Sequence, residues 1–322
     1  MRNRLEWRHA RVASVETIAG DVRMIEFAVE GSLPRFEPGS HTNIRVCIGE
    51  GWTTRTYTCL PAQPGYLRVA VKRHLHSRGG LNFMWSLVPG ATAELTVPEN
   101  RFELSWRGAP CLLLAGGIGI TPIYGMALAL LARGTPFRMV YGGRTRAGMA
   151  FADELGRALG ERLEIFAANE GRRVDVAAEI AALDPDAALY VCGPIGMLNA
   201  VRSAWAEAGR PIGRLRYEVF GDSGEFAEAP FRVEVPGRHV TIEVRPDQTL
   251  LQALLGAGVD MIYDCERGEC GLCAVEVLEH DGAIDHRDVF LSEEEKHAGR
   301  RMCACVSRLA GGKAVIDVGY RP

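Results

Sequence analysis

The feature that most constrains this chain is a set of cysteines near its C-terminal end. Residues 265–273 contain cysteines in the pattern C-x4-C-x2-C, and Cys303 and Cys305 follow farther along the chain. This arrangement is typical of a plant-type [2Fe–2S] site, in which four thiolates hold two irons and two sulfides. Gly268 and Gly271 fall inside the pattern, where a loop around a small inorganic core needs turns that a side chain would obstruct. The sequence therefore predicts an iron–sulfur loop with a fourth ligand from the later pair.

Two other uses of these cysteines compete with that interpretation. A zinc site usually takes paired C-x2-C knuckles, and the chain has one such knuckle. A disulfide framework is typical of secreted proteins, whereas the opening residues, MRNRLEWRHA, lack the apolar stretch of a secretory signal. Nine cysteines, an odd number, favour a reducing compartment, so we expect a cytoplasmic protein.

Length and charge exclude further classes of protein. A chain of 322 residues predicts about two or three domains. The formal net charge of -3 argues against a nucleic-acid partner. The longest apolar run, residues 111–132, is interrupted by glycines and a proline, so we expect no membrane span.

The first hundred residues show short strands punctuated by glycine and proline turns, which predicts a β-barrel or sandwich. One strand carries Arg55, Thr56, Tyr57 and Thr58. Strand alternation puts Arg55 and Tyr57 on one face, where the ring can stack on a flat ligand while the arginine holds a phosphate. The alternative is a half-buried strand with a surface arginine.

A second stretch in this region, residues 72–81, is basic and contains two glycines, Gly79 and Gly80, just before an expected helix. Small residues at the start of a helix let backbone N–H groups approach a phosphate. The alternative is a basic surface loop. The turn at residues 98–102 is uninformative by itself.

From residue 111 to residue 221, strands alternate with helices, which predicts a parallel, doubly wound sheet. Two glycine turns, residues 116–122 and 192–194, follow buried strands, and ligands of such sheets bind at these strand ends. Neither turn has the strict G-x-G-x-x-G fingerprint, but two of them together favour a nucleotide site. Arg144 ends another strand and suits a nucleotide phosphate or ribose; the alternative is a surface arginine.

The last ninety residues begin after a polar linker at residues 222–230. Residues 231–235 and 239–244 predict a hairpin, and residues 250–255 an amphipathic helix. Ser292 and Glu295 have capping-box spacing, which predicts the start of another helix.

Taken in order, the motifs RxYT, SRGG, PxNxF, GGIGITP, YGGR, CGP, ExF, DHRD and CVSR resemble those of the phthalate dioxygenase reductase family, over essentially the whole chain. The resemblance implies a multidomain α/β and β fold. It implies an FMN-binding antiparallel β-barrel at residues 1–106 and a doubly wound parallel α/β NAD-binding domain at 107–224. A linker at 225–235 and a β-grasp, plant-type [2Fe–2S] ferredoxin domain at 236–322 would follow.

The same resemblance implies the site residues. Those around FMN would be Arg55, Thr56, Tyr57, Thr58, Val71, Lys72, Gly79, Gly80 and Leu81. Those around NADH would be Gly116, Gly117, Gly119, Pro122, Arg144, Cys192, Gly193 and Pro194. Near the flavin and nicotinamide together would lie Thr121, Cys192, Glu218 and Phe220. Thr58 and Leu81 stand where the family usually or often has serine, and no side chain is expected to act as nucleophile or general base.

The fourth cluster ligand, beside Cys265, Cys270 and Cys273, stays open between two cysteines. Cys303 matches the common plant-type separation more closely, whereas Cys305 matches the family's Cys-Val-Ser-Arg end. We favour Cys305, because extra residues in the loop at 279–284 would lengthen the gap without moving the motif.

The function implied is an NADH-dependent iron–sulfur flavoprotein of aromatic catabolism. Its FMN would take a hydride and pass single electrons through the cluster to a terminal Rieske-type oxygenase. The transfer runs downhill if the reduction potential of the cluster is about −400 mV and that of the Rieske centre is about −150 to +300 mV.

Three alternatives remain at this point. One is an FAD-dependent reductase that serves a diiron or haem oxygenase. Another is an NADPH-specific variant, since a 2′-phosphate could meet arginines, namely Arg144, Arg146, Arg172 and Arg173. The third is a non-enzymatic electron carrier or redox sensor.

Overall fold

The computed structural model describes residues 5–48, 51–73, 80–106, 110–220, 226 and 229–319. Contacts between residues divide the chain into two units, Met1–Glu218 and Val219–Pro322. The first unit contains an antiparallel and a parallel sheet, and the second contains the cysteine loop. Among the described helices, none is long and apolar enough to cross a membrane.

The antiparallel sheet is built from seven strands in the order β4-β3-β6-β1-β2-β5, with β7 paired to β3. The strands are β1 (Trp7–Ala19), β2 (Val22–Val29), β3 (Ser40–Ile48), β4 (Gly51–Thr58), β5 (Tyr66–Lys72), β6 (Thr92–Thr96) and β7 (Glu99–Asn100). Alternate apolar side chains, such as Ile25, Phe27, Leu67 and Val69, form its buried core. The end strands β4 and β5 contact each other, so the sheet curls into the predicted barrel. Helix α1 (Gly80–Ser86) packs against β3 and β5.

The parallel sheet has the order β10-β9-β8-β11-β12. Its elements are β8 (Cys111–Gly116), α2 (Ile120–Ala132), β9 (Phe137–Gly143), α3 (Ala152–Leu159), β10 (Leu163–Ala167), α4 (Val176–Ala181), β11 (Ala188–Gly193), α5 (Ile195–Glu207) and β12 (Leu215–Val219). Every residue of β8 is buried, because helices cover both faces of such a sheet. The chain runs outward from β8 through β9 and then continues at β11 on the other side of β8, which creates a switch point where ligands of such folds bind. The predicted doubly wound sheet is confirmed.

The C-terminal unit has a five-stranded sheet in the order β14-β13-β19-β15-β17, with a separate pair of β16 and β18. Its elements are β13 (Phe231–Val235), β14 (Val240–Val244), α6 (Leu250–Gly256), β15 (Ala274–His280), β16 (Ile284–Asp285), α7 (Glu293–Ala298), β17 (Arg301–Cys303), β18 (Arg308–Leu309) and β19 (Lys313–Asp317). The predicted hairpin is β13 and β14, and the predicted capping box of Ser292 and Glu295 starts α7.

One boundary differs from the sequence prediction. The expected linker, residues 225–235, includes Phe231–Val235, but these residues form β13 and pair with β14 and β19. Phe231, Val233 and Val235 are buried in the core of the C-terminal unit, so burial of this alternating apolar face fixes the segment as a strand.

Candidate functional site

The two glycine turns of the parallel sheet meet at the switch point between β8 and β11. A Cβ atom added at Gly119 would lie 2.3 Å from the Cys192 carbonyl oxygen and 2.7 Å from the Gly193 nitrogen. A Cβ atom at Gly116 would lie 2.7 Å from Pro194 Cδ, and one at Gly193 would lie 3.1 Å from Gly116 Cα. Glycine is therefore required because the two backbones touch. The arrangement leaves main-chain groups, rather than side chains, at the strand ends that bind nucleotides in this fold.

Neighbouring side chains hold these turns in place. The Tyr141 hydroxyl of β9 donates to the Gly117 carbonyl oxygen at 3.2 Å. Gly117 has φ +54°, a conformation that favours glycine. Thr121 and Pro122 begin α2 and are buried, and Cys192 at the end of β11 is fully buried. The sequence-predicted residues of the two turns thus lie together at one edge of the sheet.

A buried polar network links this edge to the barrel. The Thr121 hydroxyl lies 3.3 Å from Thr58 Oγ1 and 3.1 Å from the Ile118 carbonyl oxygen. Thr58 Oγ1 lies 3.3 Å from His41 Nε2, which in turn lies 2.5 Å from Glu218 Oε1. Thr121, Thr58, His41 and Glu218 are each at most 5% exposed. Two residues from the barrel, one from α2 and one from β12 therefore share one hydrogen-bonded chain.

His41 is the member of this network that the sequence analysis missed. It lies on β3, opposite Thr58 on β4, so strand pairing brings the two side chains together. Its Nδ1 atom is buried and has no hydrogen-bond partner among the described residues. The sequence around His41 does not indicate a functional role, because its carboxylate partner, Glu218, lies far along the chain in the last strand of the parallel sheet.

The predicted phosphate-binding residues Arg55 and Gly80 also meet. A Cβ atom at Gly80 would lie 3.1 Å from Arg55 Cγ and 3.2 Å from Arg55 Nε, so the arginine crosses the start of α1. Thr56 is exposed and Tyr57 is half-buried on the same strand. Gly79 lies outside the described residues.

Three further predicted contacts lie beside this pair. Val71 is buried in the barrel core, so it offers a ligand its backbone rather than its side chain. Lys72 lies 3.4 Å from the Asp21 carboxylate, and Leu81 packs against the barrel core.

The arginines that could meet an adenosine phosphate differ in their partners. Arg146 pairs with Asp153 at 2.6 Å, and Arg172 pairs with Glu164 at 3.0 Å. Arg144, which follows the last residue of β9, and Arg173 are exposed. Half of the candidate cations are therefore already engaged by carboxylates.

The cysteine loop of the C-terminal unit is shaped by its two glycines. Gly268 and Gly271 have φ of +74° and +72°. A Cβ atom at Gly271 would lie 2.3 Å from the Phe290 ring, and one at Gly268 would lie 2.6 Å from Val306. Any larger residue would displace the loop from its support, so the expectation that these positions need glycine is confirmed.

Hydrogen bonds converge on the Cys265 sulfur. The backbone N–H groups of Arg267, Glu269 and Cys270 each lie 3.4 Å from Cys265 Sγ. A hydrogen bond from the Cys305 thiol, with these three donors, lowers the pKa of Cys265 to about 4. Backbone N–H groups aimed at a sulfur stabilise a thiolate, which is the form that binds metal.

Cys303 and Cys305 differ in the number of loop cysteines that they contact. The Cys305 thiol forms hydrogen bonds with both Cys265 and Cys273, whereas Cys303 forms one with Cys273. Cys303 is a residue of β17 that pairs with Ala274, and it is fully buried. Thus Cys305 faces two loop cysteines and Cys303 faces one.

The residues present fit a two-iron core. The segment after Cys303 is anchored to the loop, because the Ala304 N–H donates to the Cys273 carbonyl oxygen at 3.1 Å. The four ligands of a [2Fe–2S] cluster are spread over two irons, and here they would come from the loop and from this anchored segment.

Comparison with known proteins gives two domain matches. The family described as 2Fe-2S iron-sulfur cluster binding domain matches residues 233–310. The family described as oxidoreductase NAD-binding domain matches residues 113–203.

The chain is also similar to named proteins over nearly its whole length. Phenoxybenzoate dioxygenase subunit beta of Ectopseudomonas oleovorans is 34% identical, with 96% of each chain covered. The heme-dependent oxidative N-demethylase beta subunit of Ectopseudomonas mendocina (strain ymp) is 33% identical, covering 96% of this chain and 98% of that protein. Phthalate dioxygenase reductase of Burkholderia cepacia is 32% identical, with 96% of each chain covered. A solved structure of phthalate dioxygenase reductase matches with a TM-score of 0.76 and 31% identity, over 97% of this chain and 98% of that one.

Proposed function

This chain belongs to the phthalate dioxygenase reductase family, and from that premise we propose that it carries electrons from NADH through FMN and a [2Fe–2S] cluster to a Rieske-type oxygenase. It is an NADH-dependent iron–sulfur oxidoreductase with an NAD-binding and a [2Fe–2S] domain. The observation that carries the proposal is the network from Thr121 to Thr58. It joins the nucleotide turns to the strand expected to hold the flavin.

The proposed flavin is FMN. Bound flavin accepts a hydride and releases electrons singly, which matches a two-electron donor to a one-electron cluster. Arg55 and the backbone at Gly80 converge, and a guanidinium beside a helix start is suited to a terminal phosphate. The Thr58 and Thr121 hydroxyls would orient the ring, and the close turns at Gly116 and Gly119 would admit a nicotinamide.

We propose Cys265, Cys270, Cys273 and Cys305 as the cluster ligands. The contacts of Cys305 with two loop cysteines support this choice over Cys303. The flavin domain is proposed to span residues 1–106 and the nucleotide domain 107–224, with the ferredoxin domain beginning at Phe231.

The partner proposed is an oxygenase. Relatives carry the names of dioxygenase and heme-dependent N-demethylase subunits, so a haem oxygenase is the second candidate for the terminal acceptor. A reducing, cytoplasmic location is also proposed, because all nine cysteines lie in the described residues and none forms a disulfide.

An anaerobic titration with NADH tests the internal chain. We expect the visible bands of flavin and cluster to bleach together, because the flavin passes each electron onward. NADPH is the matched control. Half-maximal bleaching should require a concentration of NADPH that is higher by about tenfold, which corresponds to a binding free energy weaker by about 1.4 kcal/mol. Bleaching of flavin alone would contradict the proposal, and release of FAD rather than FMN on denaturation would contradict the flavin assignment.

A further inference from the structure

Asp288 is a fully buried carboxylate in the DHRD motif, and the proposed function gives it no role. Its Oδ1 accepts from the Ser307 hydroxyl at 2.9 Å, and its Oδ2 accepts from the Leu291 N–H at 2.9 Å. Burial raises its pKa, but the nearby His286 ring and the hydrogen bonds from Leu291 and Ser307 outweigh burial and lower it. The side chain is therefore an anion inside the protein.

This anion lies between the cysteine loop and the segment that carries the later cysteines. A Cβ atom at Gly268 would lie 2.9 Å from both Cα and Cβ of Asp288, and the Val289 N–H donates to the Gly268 carbonyl oxygen at 3.0 Å. Ser307 stands two residues after Cys305. Its N–H donates to the Cys303 carbonyl oxygen at 2.9 Å.

The two arginines that adjoin Asp288 and Ser307 in sequence, Arg287 and Arg308, are engaged by other groups. Arg287 is held by the Asp285 carboxylate, with its Nε at 2.8 Å and a terminal nitrogen at 2.7 Å. Arg308 donates to backbone carbonyl oxygens, including that of Gln248. The closest donors to Asp288 are a hydroxyl and a backbone N–H, and the His286 Nδ1 lies 3.6 Å away.

We propose that Asp288 sets the reduction potential of the [2Fe–2S] cluster by placing a negative charge beside it. The inference rests on the proposed cluster ligands. Reduction adds one electron, supplied by NADH oxidation, to a core with four thiolates, and no bond or proton is exchanged. A buried anion opposes the added charge strongly, because little water screens it. Net charge around a cluster is one determinant of its potential.

The test compares neutral and charged replacements in the full-length holoprotein. Asp288→Asn removes the charge with nearly the same shape, Asp288→Ser keeps an oxygen acceptor for Leu291, and Asp288→Glu keeps the charge. Glu294→Gln, at an exposed site on α7, is the control because solvent screens its charge. The readouts are iron and sulfide content and the reduced-cluster EPR signal across an anaerobic redox titration.

We expect the two neutral variants to raise the reduced-to-oxidised ratio at a fixed potential by about tenfold, about 59 mV for one electron. Asp288→Glu and Glu294→Gln should match the unsubstituted protein. Equal potentials in all variants, or the same shift in Asp288→Glu, would overturn the proposal. Loss of the cluster in both neutral variants but not in Asp288→Glu would also overturn it, since the carboxylate would then serve assembly. An unsubstituted protein without the EPR signal would overturn the proposed function itself.

Discussion

Replacing Cys305 with serine is expected to abolish cluster binding, whereas the same replacement at Cys303 leaves the cluster in place. Cys305 is hydrogen-bonded to two loop cysteines, so it stands where a ligand can close the cage. Cys303 is fixed in β17 and contributes to the buried core. Iron and sulfide analysis should give about two irons per chain for Cys303→Ser and essentially none for Cys305→Ser.

The two cysteine variants are matched controls for each other, because both positions are buried and receive the same substitution. In Cys305→Ser, NADH should still bleach the flavin while reduction of a one-electron acceptor is lost. The opposite result, with cluster kept in Cys305→Ser and lost in Cys303→Ser, would identify Cys303 as the ligand.

Gly119→Ala is expected to lower kcat/KM for NADH by about 100-fold, which corresponds to a misplacement of about 1 Å at the reacting centre. The added Cβ would lie 2.3 Å from the Cys192 carbonyl oxygen, so the two turns must separate. Forcing a methyl group into close packing also costs about 1–3 kcal/mol of unfolding free energy. Stopped-flow reduction by NADH and urea unfolding measure the two effects.

Gly196→Ala is the control for this change. Gly196 lies in the first turn of α5, and a Cβ atom there would meet nothing within 4 Å. Alanine in a helix is favoured over glycine by about 1 kcal/mol. The free energy of unfolding of Gly196→Ala should therefore equal or exceed that of the unsubstituted protein, and its kinetics with NADH should be unchanged. If Gly119→Ala reduces as fast as Gly196→Ala, the contact between the turns does not position the coenzyme.

The parts of this molecule that could be predicted from sequence are those set by local chemistry. Glycines 268 and 271 interrupt the cysteine pattern, and their positive φ values follow directly from the tight loop. The alternation of strands and helices around Gly116 and Gly193 likewise places both turns at one sheet edge, because parallel strands end together.

What sequence could not supply depends on residues brought together from distant elements. The pairing of His41 with Glu218 needs both the register of β3 and the position of β12, and neither has a local signature. The alternation of apolar residues from Phe231 onward does predict a strand, but its place beside β19 joins segments about eighty residues apart and has no local signature. Whether Cys303 or Cys305 is the fourth cluster ligand depends on which side chain points toward the loop cysteines, and the sequence does not give that direction.

The contact between His41 and Glu218 also determines where this chain can be cut. The first unit ends at Glu218, the last residue whose side chain completes a buried pair with the barrel. A reductase fragment that stopped before β12 would leave the His41 ring enclosed without its carboxylate and would expose the edge of β11. In a chimaera that carries a different electron-transfer domain, the junction is therefore best placed after Val219 and before Phe231.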